Sequence, residues 1–210
     1  MPDWVHELAA RSEGFSRIAG IDEAGRGPWA GPVVAAAVIL DQAALPARLR
    51  DGLDDSKVVP RPRREYLFAA MTDCAAVRIG VGRADVAEID RLNILGATLL
   101  AMHRAVTALP EGCDFALVDG NRPPKLPCSV RCVVGGDGLS LSIAAASIVA
   151  KVTRDRLMGK LDGLHPGYGW SHNVGYGTPE HQRALQALGV TPHHRRSFAP
   201  ILNMLSPEPR

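Results

Sequence analysis

Short apolar runs alternate along the chain with longer stretches whose apolar positions recur at helical spacing. Arg17 to Asp22 (RIAGID) and Pro32 to Leu40 (PVVAAAVIL) predict two strands joined by the glycine-rich turn EAGRGPWAG. Ala76 to Gly82 (AVRIGVG) alternates with period two, as a third strand should. Phe115 to Val118 and Val130 to Val134 are shorter candidates, each followed closely by glycine and an acid. Helices are expected over residues 3–12, with Trp4, Leu8 and Ala9 on one side, and over Arg61 to Met71. A long one is expected from Leu92 to Leu109, where Leu95, Leu99, Met102 and Val106 form a stripe. Another runs from Leu141 to Leu161 and opens on Ala144–Ala146, small side chains that permit close packing. The loop HPGYGWSHNVGYG leads to a last helix near 179–188, with Thr178 as N-cap and Pro179 as first helical residue. Strands with helices between and after them indicate an α/β sheet protein.

Composition narrows the class. A chain of 210 residues, 46% of them hydrophobic, suits a single domain over 1–210 with a packed core. No internal repeat or low-complexity linker divides it. The longest apolar stretch, Trp29 to Leu40, is broken by Gly31 and Pro32 and is too short to span a bilayer. The N-terminal MPDWVHELAARSEG has charges where a signal peptide needs an apolar core. A soluble cytoplasmic protein without a membrane partner is expected. The cysteines at 74, 113, 128 and 132 form no disulfide framework, and Cys128-x3-Cys132 lacks a second pair or a nearby His at a zinc-like spacing, so buried or idle thiols are expected. Net charge is only +2, but residues 151–210 carry 8 Lys/Arg against 4 Asp/Glu and hold five of the seven His. An acidic body with a basic tail suits an enzyme that concentrates metal ions in one place and grips a polyanion with another.

Three acidic positions share one context, the point where an apolar strand gives way to glycine. They are Asp22-Glu23 before Ala24-Gly25, Asp119 before Gly120, and Asp137 between Gly136 and Gly138. Each alone could be a turn former. Together they point elsewhere, because neighbouring strand ends in an α/β sheet converge on one rim. Carboxylates gathered there repel one another unless cations lie between them. With no Cys or His at these positions, oxygen-liganded Mg2+ or Mn2+ is favoured over zinc. Two such ions about 3.5–4 Å apart can activate a water and stabilise the departing oxygen of a phosphodiester.

The motifs then form an ordered series. GIDEAGRGPWAGPVVAAAVIL (20–40) is followed by DDSK (54–57), IDRLNILGATLLAMHRA (89–105), LVDGNRPP (117–124), GGDGLSLSIAAASIVAKVTRD (135–155), GYGTPEHQRAL (175–185) and HHRRSFAP (193–200). From about Arg17 to Pro200 the chain resembles bacterial ribonuclease HII, within the type 2 ribonuclease H family. That resemblance implies a ribonuclease H-like mixed five-stranded sheet flanked by helices, a leading helix over about 1–16, and a helical C-terminal portion over about 160–210. It implies two divalent ions, Mn2+ or Mg2+, held by Asp22, Glu23, Asp119 and Asp137. Gly25-Arg26-Gly27 matches the loop that reads the ribonucleotide 2′-hydroxyl, and Tyr176 the tyrosine that packs on the deoxyribose at an RNA–DNA junction. Lys57 matches a lysine near the scissile phosphate. Substrates would be RNA–DNA hybrids and DNA duplexes containing single ribonucleotides, handled by a monomer. The chain departs from the family pattern after DSK, where Val58-Val59-Pro60 replaces the usual Lys-Leu. The short stretch ahead of the first strand leads us to expect no N-terminal substrate-binding domain of the HIII type.

Other residues have simpler readings. Lys151 and Asp155 are spaced for an i,i+4 ion pair, with phosphate contact by Lys151 or Arg154 the second choice. Arg195 and Arg196 are expected to grip the nucleic-acid backbone. A nucleotide-binding module fits GRGPWAG poorly, since the spacing is not G-x-G-x-x-G and acids precede the glycines. A non-catalytic hybrid-binding protein is the alternative from another class; it would do better without carboxylates beside the phosphates.

Overall fold

The computed structural model describes residues 1–206, so the last four residues of the expected helical C-terminal portion lie outside the described residues. Strands β1 (Ile18–Ala24), β2 (Val33–Leu40), β3 (Val77–Ala84), β4 (Phe115–Asp119) and β5 (Ser129–Val133) form one sheet in the order β3-β2-β1-β4-β5. The β1–β2 and β2–β3 pairs are antiparallel; β4 runs parallel to β1 and β5 parallel to β4. This is the mixed five-stranded sheet that the motifs implied.

Strand alternation divides the core into two layers. Ala19 and Ile21 of β1, Val33, Ala35 and Ala37 of β2 and Val118 of β4 face one long helix, α4 (Val86–Thr107). Ala36, Val38 and Leu40 of β2 face the other, α5 (Leu141–Leu164), with Leu67 and Met71 of α3 (Arg61–Thr72). Contact between α5 and the sheet is very close at Gly20. A Cβ there would lie 2.1 Å from the Ser142 carbonyl carbon, so only hydrogen fits. The alanines 144–146 that follow, all fully buried, extend the close contact. A short helix α2 (Ala47–Arg50) precedes α3.

Several boundaries differ from expectation for local reasons. Helix α1 spans Val5–Ser12 and buries Glu7 and Ala10, while Leu8 is exposed. Glu7 Oε1 accepts from Ser140 Oγ (2.6 Å), Ser142 N–H (2.9 Å) and Ser142 Oγ (2.6 Å), at the N-terminus of α5. A periodicity argument sees an acid as solvent-facing and cannot find this contact. Helix α4 begins at Val86 rather than Leu92, because Asp85 and Glu88 close a capping box ahead of the apolar stripe. Asn93 interrupts it at φ 58°, ψ 171°, and its Oδ1 caps Leu95 N–H at 2.9 Å and Gly96 N–H at 3.1 Å. The stripe beginning at Leu95 therefore belongs to the second helical segment. The Val58-Val59-Pro60 departure is absorbed by a turn on Asp55, with Val59 buried in the α5-side core and Pro60 leading into α3.

Beyond α5, helices α6 (Trp170–Asn173), α7 (Pro179–Leu188) and α8 (Ala199–Leu205) complete the helical end. Thr178 caps α7 as expected, its hydroxyl accepting from His181 N–H. Trp170, Tyr168, Leu185 and Ile201 pack with Met158 of α5 and Ala30, fastening this end to the β1–β2 turn.

Candidate active site at the strand-end rim

Parallel pairing brings the acids together. The β1–β4 register sets Ile21 beside Val118, so Asp22 and Asp119 follow side by side where that pairing ends, β1 itself running on to Ala24 beside β2. Asp137 arrives on the 3-10 turn Gly136–Gly138 that follows β5, and Gly136 N–H donates to Asp119 Oδ1 at 2.7 Å. Ligand oxygens of Asp22, Asp119 and Asp137 lie within 4.8 Å of one another. Glu23 stands apart from this trio. Alternation along β1 turns it away from Asp22, and it takes an ion pair from Arg26 at 3.2 Å. It remains close enough to Asp119 for the two charges to repel.

The trio is costly without a cation. Burial first, then repulsion from Glu23 and Asp119, pushes the Asp22 carboxyl well above the usual aspartate range. Burial also raises Asp119, and Asp137 adds to it against the opposing Gly136 hydrogen bond. Lys57 answers part of this charge, with Nζ 3.0 Å from Asp137 Oδ2 and 3.5 Å from Asp55 Oδ1. Burial opposes its ammonium form, but the bond and charge of Asp137 prevail and raise the lysine. Three converging oxygen donors with excess negative charge suit a hard divalent ion.

A cleft of about 380 Å³ extends from Asp22 and Asp119 past Lys57 and Lys151 to Gly25-Arg26-Gly27 and Tyr176. Gly25 holds φ at +95°, and a Cβ there would meet Arg154 Nε at 1.8 Å, so the loop requires glycine twice over. Tyr176 is half-exposed, and a Cβ on Gly27 would come within 3.3 Å of its ring. The sequence-predicted loop and tyrosine therefore meet across one cleft.

What holds them was not legible beforehand. Arg195 is fully buried and donates to Gly25 O (2.6 Å), Arg26 O (2.9 Å) and Gly31 O (3.0 Å from Nε). Arg154, also buried, donates to Pro32 O (3.0 Å), Val174 O (2.9 Å) and Ala30 O (3.1 Å). Burial pushes Arg195 down to about 9 and Arg154 down to about 10, with Arg154's own charge a further cause for Arg195. The expected grip of Arg195 on nucleic acid is thus corrected: its guanidinium is spent on loop carbonyls. Arg154, the second-choice phosphate contact, serves the same loop. Arg196 is exposed, with its backbone N–H bound to Asp90, and Lys151 makes the expected ion pair with Asp155 at 2.7 Å.

A buried histidine pair supports Tyr176 from behind. His181 Nδ1 bonds to Tyr176 O at 2.9 Å, so its Nε2 accepts, from Trp170 Nε1 at 3.1 Å and from His194 Nε2 at 3.0 Å. His194 Nδ1 in turn accepts from Thr191 N–H at 2.9 Å. Both imidazoles are neutral in this arrangement. Burial lowers both, and the neighbouring His181 helps push His194 down to about 4. The run HHRR gave no periodic signal of burial.

A mixed sheet with its acids gathered at parallel strand ends defines a nuclease of the ribonuclease H-like class. The sequence model of the family described as Ribonuclease HII matches residues 19–201. Ribonuclease HII of Paramagnetospirillum magneticum is 61% identical over 96% of this chain and 97% of its own length. Ribonuclease HII of Cereibacter sphaeroides is 57% identical over 99% and 95%. The crystal structure of ribonuclease H2 from Pyrococcus horikoshii OT3 aligns at a TM-score of 0.75 and 29% identity, covering 90% of this chain and 97% of that one. The chain belongs to the ribonuclease HII family and is a ribonuclease H enzyme. No helix among the described residues is long and apolar enough to cross a membrane.

Proposed function

We propose that this single-domain protein hydrolyses the RNA strand of RNA–DNA hybrids and incises 5′ to single ribonucleotides embedded in duplex DNA, leaving 3′-hydroxyl and 5′-phosphate ends. The observation that carries the reading is the junction of two features along one cleft: Asp22 and Asp119, whose oxygens converge with those of Asp137, and the Gly25-Arg26-Gly27 loop facing Tyr176. Asp22, Asp119 and Asp137, with Glu23 at the edge, would hold two divalent ions, Mg2+ or Mn2+. Bound there, such ions supply activation of the attacking water and stabilisation of the leaving 3′-oxygen.

The rest falls to the chain's own residues. Backbone groups of Gly25-Arg26-Gly27 approach the ribose closely enough to sense its 2′-hydroxyl, the group that separates RNA from DNA. Tyr176 offers a flat apolar face to the adjoining deoxyribose. Lys57 donates to Asp137 and, in this reading, exchanges that partner for the scissile phosphate. Arg196, exposed and next in sequence to Arg195, contributes charge along the nucleic-acid backbone. The protein acts as a monomer in the cytoplasm.

The test is cleavage of a labelled DNA duplex bearing one ribonucleotide, with Mg2+, with Mn2+ and with chelator. Metal-dependent incision on the 5′ side of the ribonucleotide is expected. Cleavage of a continuous hybrid alone would remove the junction-reading role of Tyr176 and the loop. Binding without cleavage of either substrate would replace the enzyme reading with that of a hybrid-binding protein.

A further inference from the structure

Two of the four cysteines lie against each other at the far end of β4 from the acidic cleft. Cys113 stands two residues before β4, and Cys128 immediately before β5. The parallel register pairs Phe115 with Ser129, so these strand entries run side by side, and Ser129 N–H donates to Asp114 O at 3.3 Å. The two Sγ atoms are 3.5 Å apart in a thiol–thiol hydrogen bond. Both side chains are only partly buried, which leaves a path for a small solute. Cys132 sits further along β5 opposite Val118, and Cys74 packs with the core on the other face of the sheet.

We infer that Cys113 and Cys128 form a reversible dithiol–disulfide site, oxidised by low-molecular-weight disulfides of the glutathione type. The Cys128 thiolate attacks one sulfur of the small disulfide and expels a thiolate, giving a mixed disulfide. Cys113 then loses its proton and attacks the Cys128 sulfur, expelling the second small thiolate. Two electrons and two protons pass from the cysteines to the small disulfide, which leaves as two thiols. Either thiol can donate in this contact; with Cys113 as donor, the bond holds Cys128 below the ordinary thiol range while the same bond and burial raise Cys113, so that Cys128 attacks first. Closing the sulfurs to a bond of about 2.05 Å needs side-chain rotation and a small adjustment of two loop-borne residues.

The bond would staple the entries of β4 and β5 and close the segment 113–128, whose strand β4 ends in Asp119. Closure of a loop this size restricts the unfolded chain and stabilises the fold. Asp119 lies six residues from Cys113, about 20 Å along an extended strand. Oxidation therefore stabilises the molecule while leaving the cleft as it is. Such a bond in a reducing compartment is transient and responds to redox state.

Reduced protein should be equilibrated with oxidised and reduced glutathione, alkylated, and mapped by peptide mass. The expected result is loss of two of the four thiols, a linked peptide joining Cys113 to Cys128, and recovery of all thiols with dithiothreitol. The melting temperature should rise by about 5 °C or more. Catalytic rate on a ribonuclease H substrate should not change. Cys113→Ser and, should that variant fold poorly, Cys113→Ala or Cys128→Ala should abolish both the linked peptide and the temperature shift. Stable glutathione adducts on Cys128, linkage to Cys132 or Cys74, or a linked peptide without added stability would each overturn the inference.

Discussion

Asp22 and Arg195 are both buried charged residues, yet the structure compensates them in opposite ways. Asp22 is left among other carboxylates, so its folded-state pKa is raised by burial and repulsion. For an acid that shift means that stability is lost as pH climbs through the raised value, and the penalty is fully present above it. Asp22→Asn should therefore raise the melting temperature in chelator by a few degrees, while lowering cleavage by about three orders of magnitude or more. Mn2+ should stabilise the native protein by about 2.7 kcal/mol at a hundredfold excess over its dissociation constant, and the variant by much less. Scanning calorimetry with and without metal measures the stability changes and a cleavage assay the rate, and an Asp22→Asn protein of normal turnover would remove Asp22 from the mechanism. Arg195, by contrast, has its donors taken up by carbonyls of Gly25, Arg26 and Gly31. A lysine cannot span that fan. Arg195→Lys should cost about 1–3 kcal/mol of stability and raise KM for a single-ribonucleotide duplex about tenfold, with kcat less affected. A lowered melting temperature with unchanged KM would leave Arg195 a purely structural residue.

Contacts between elements decide how rigidly the rim is held, and here Glu7 matters most. Its Oε1 gathers three donors at the start of α5, tying α1 to the helix that carries Ser147 and Lys151 along the cleft. Glu7→Ala leaves Ser142 N–H unpartnered and should cost about 2–4 kcal/mol by urea unfolding, whereas Glu7→Gln keeps the acceptor and should cost about 1 kcal/mol. Equal losses for the two variants would show that packing, not the acceptor, fastens α1. This contact also marks where sequence reasoning stopped. Short apolar runs located all five strands to within about two residues: β1, β2 and β4 are covered on both faces and read as near-continuous apolar stretches, while β3 carries the period-two alternation. The acids were legible because they interrupt such runs at glycine. Glu7, Arg154, Arg195 and the His181–His194 pair were not, because polar residues satisfied by distant partners leave no local pattern. The start of α4 was missed for a related reason: the Asp85 capping box, not hydrophobic spacing, fixes it.

At the scale of the whole molecule, the cleft is assembled from two ends of the chain. The sheet supplies the acids, and the helical C-terminal portion supplies Tyr176 and the arginine that braces the β1–β2 loop. The bridge between Ala30 and His194 joins the two parts, next to the neutral histidine pair. His194 is held at about 4, chiefly by burial and then by His181, with His193 and His165 acting in the same direction. For a base depressed in the folded state, the unfolded chain binds the extra proton. The pair's contribution is then fully present above the ordinary histidine value of about 6.5 and is lost as pH falls from there towards 4. Protonating His181 at Nε2 would set it against both Trp170 Nε1–H and His194 Nε2–H. The rim acids act in the opposite direction, since protonation relieves Asp22, Glu23 and Asp119, so in the native protein the two trends oppose each other. Asp22→Asn in chelator removes the larger part of the acid effect. Its urea-unfolding free energy should therefore decline by about 1–2 kcal/mol between pH 7 and pH 4.5 from the histidines, after allowance for solvent screening. Adding His194→Gln should flatten that decline and lower stability at pH 7. If the double variant declined as steeply as Asp22→Asn alone, the acid sensitivity would lie outside the histidine pair.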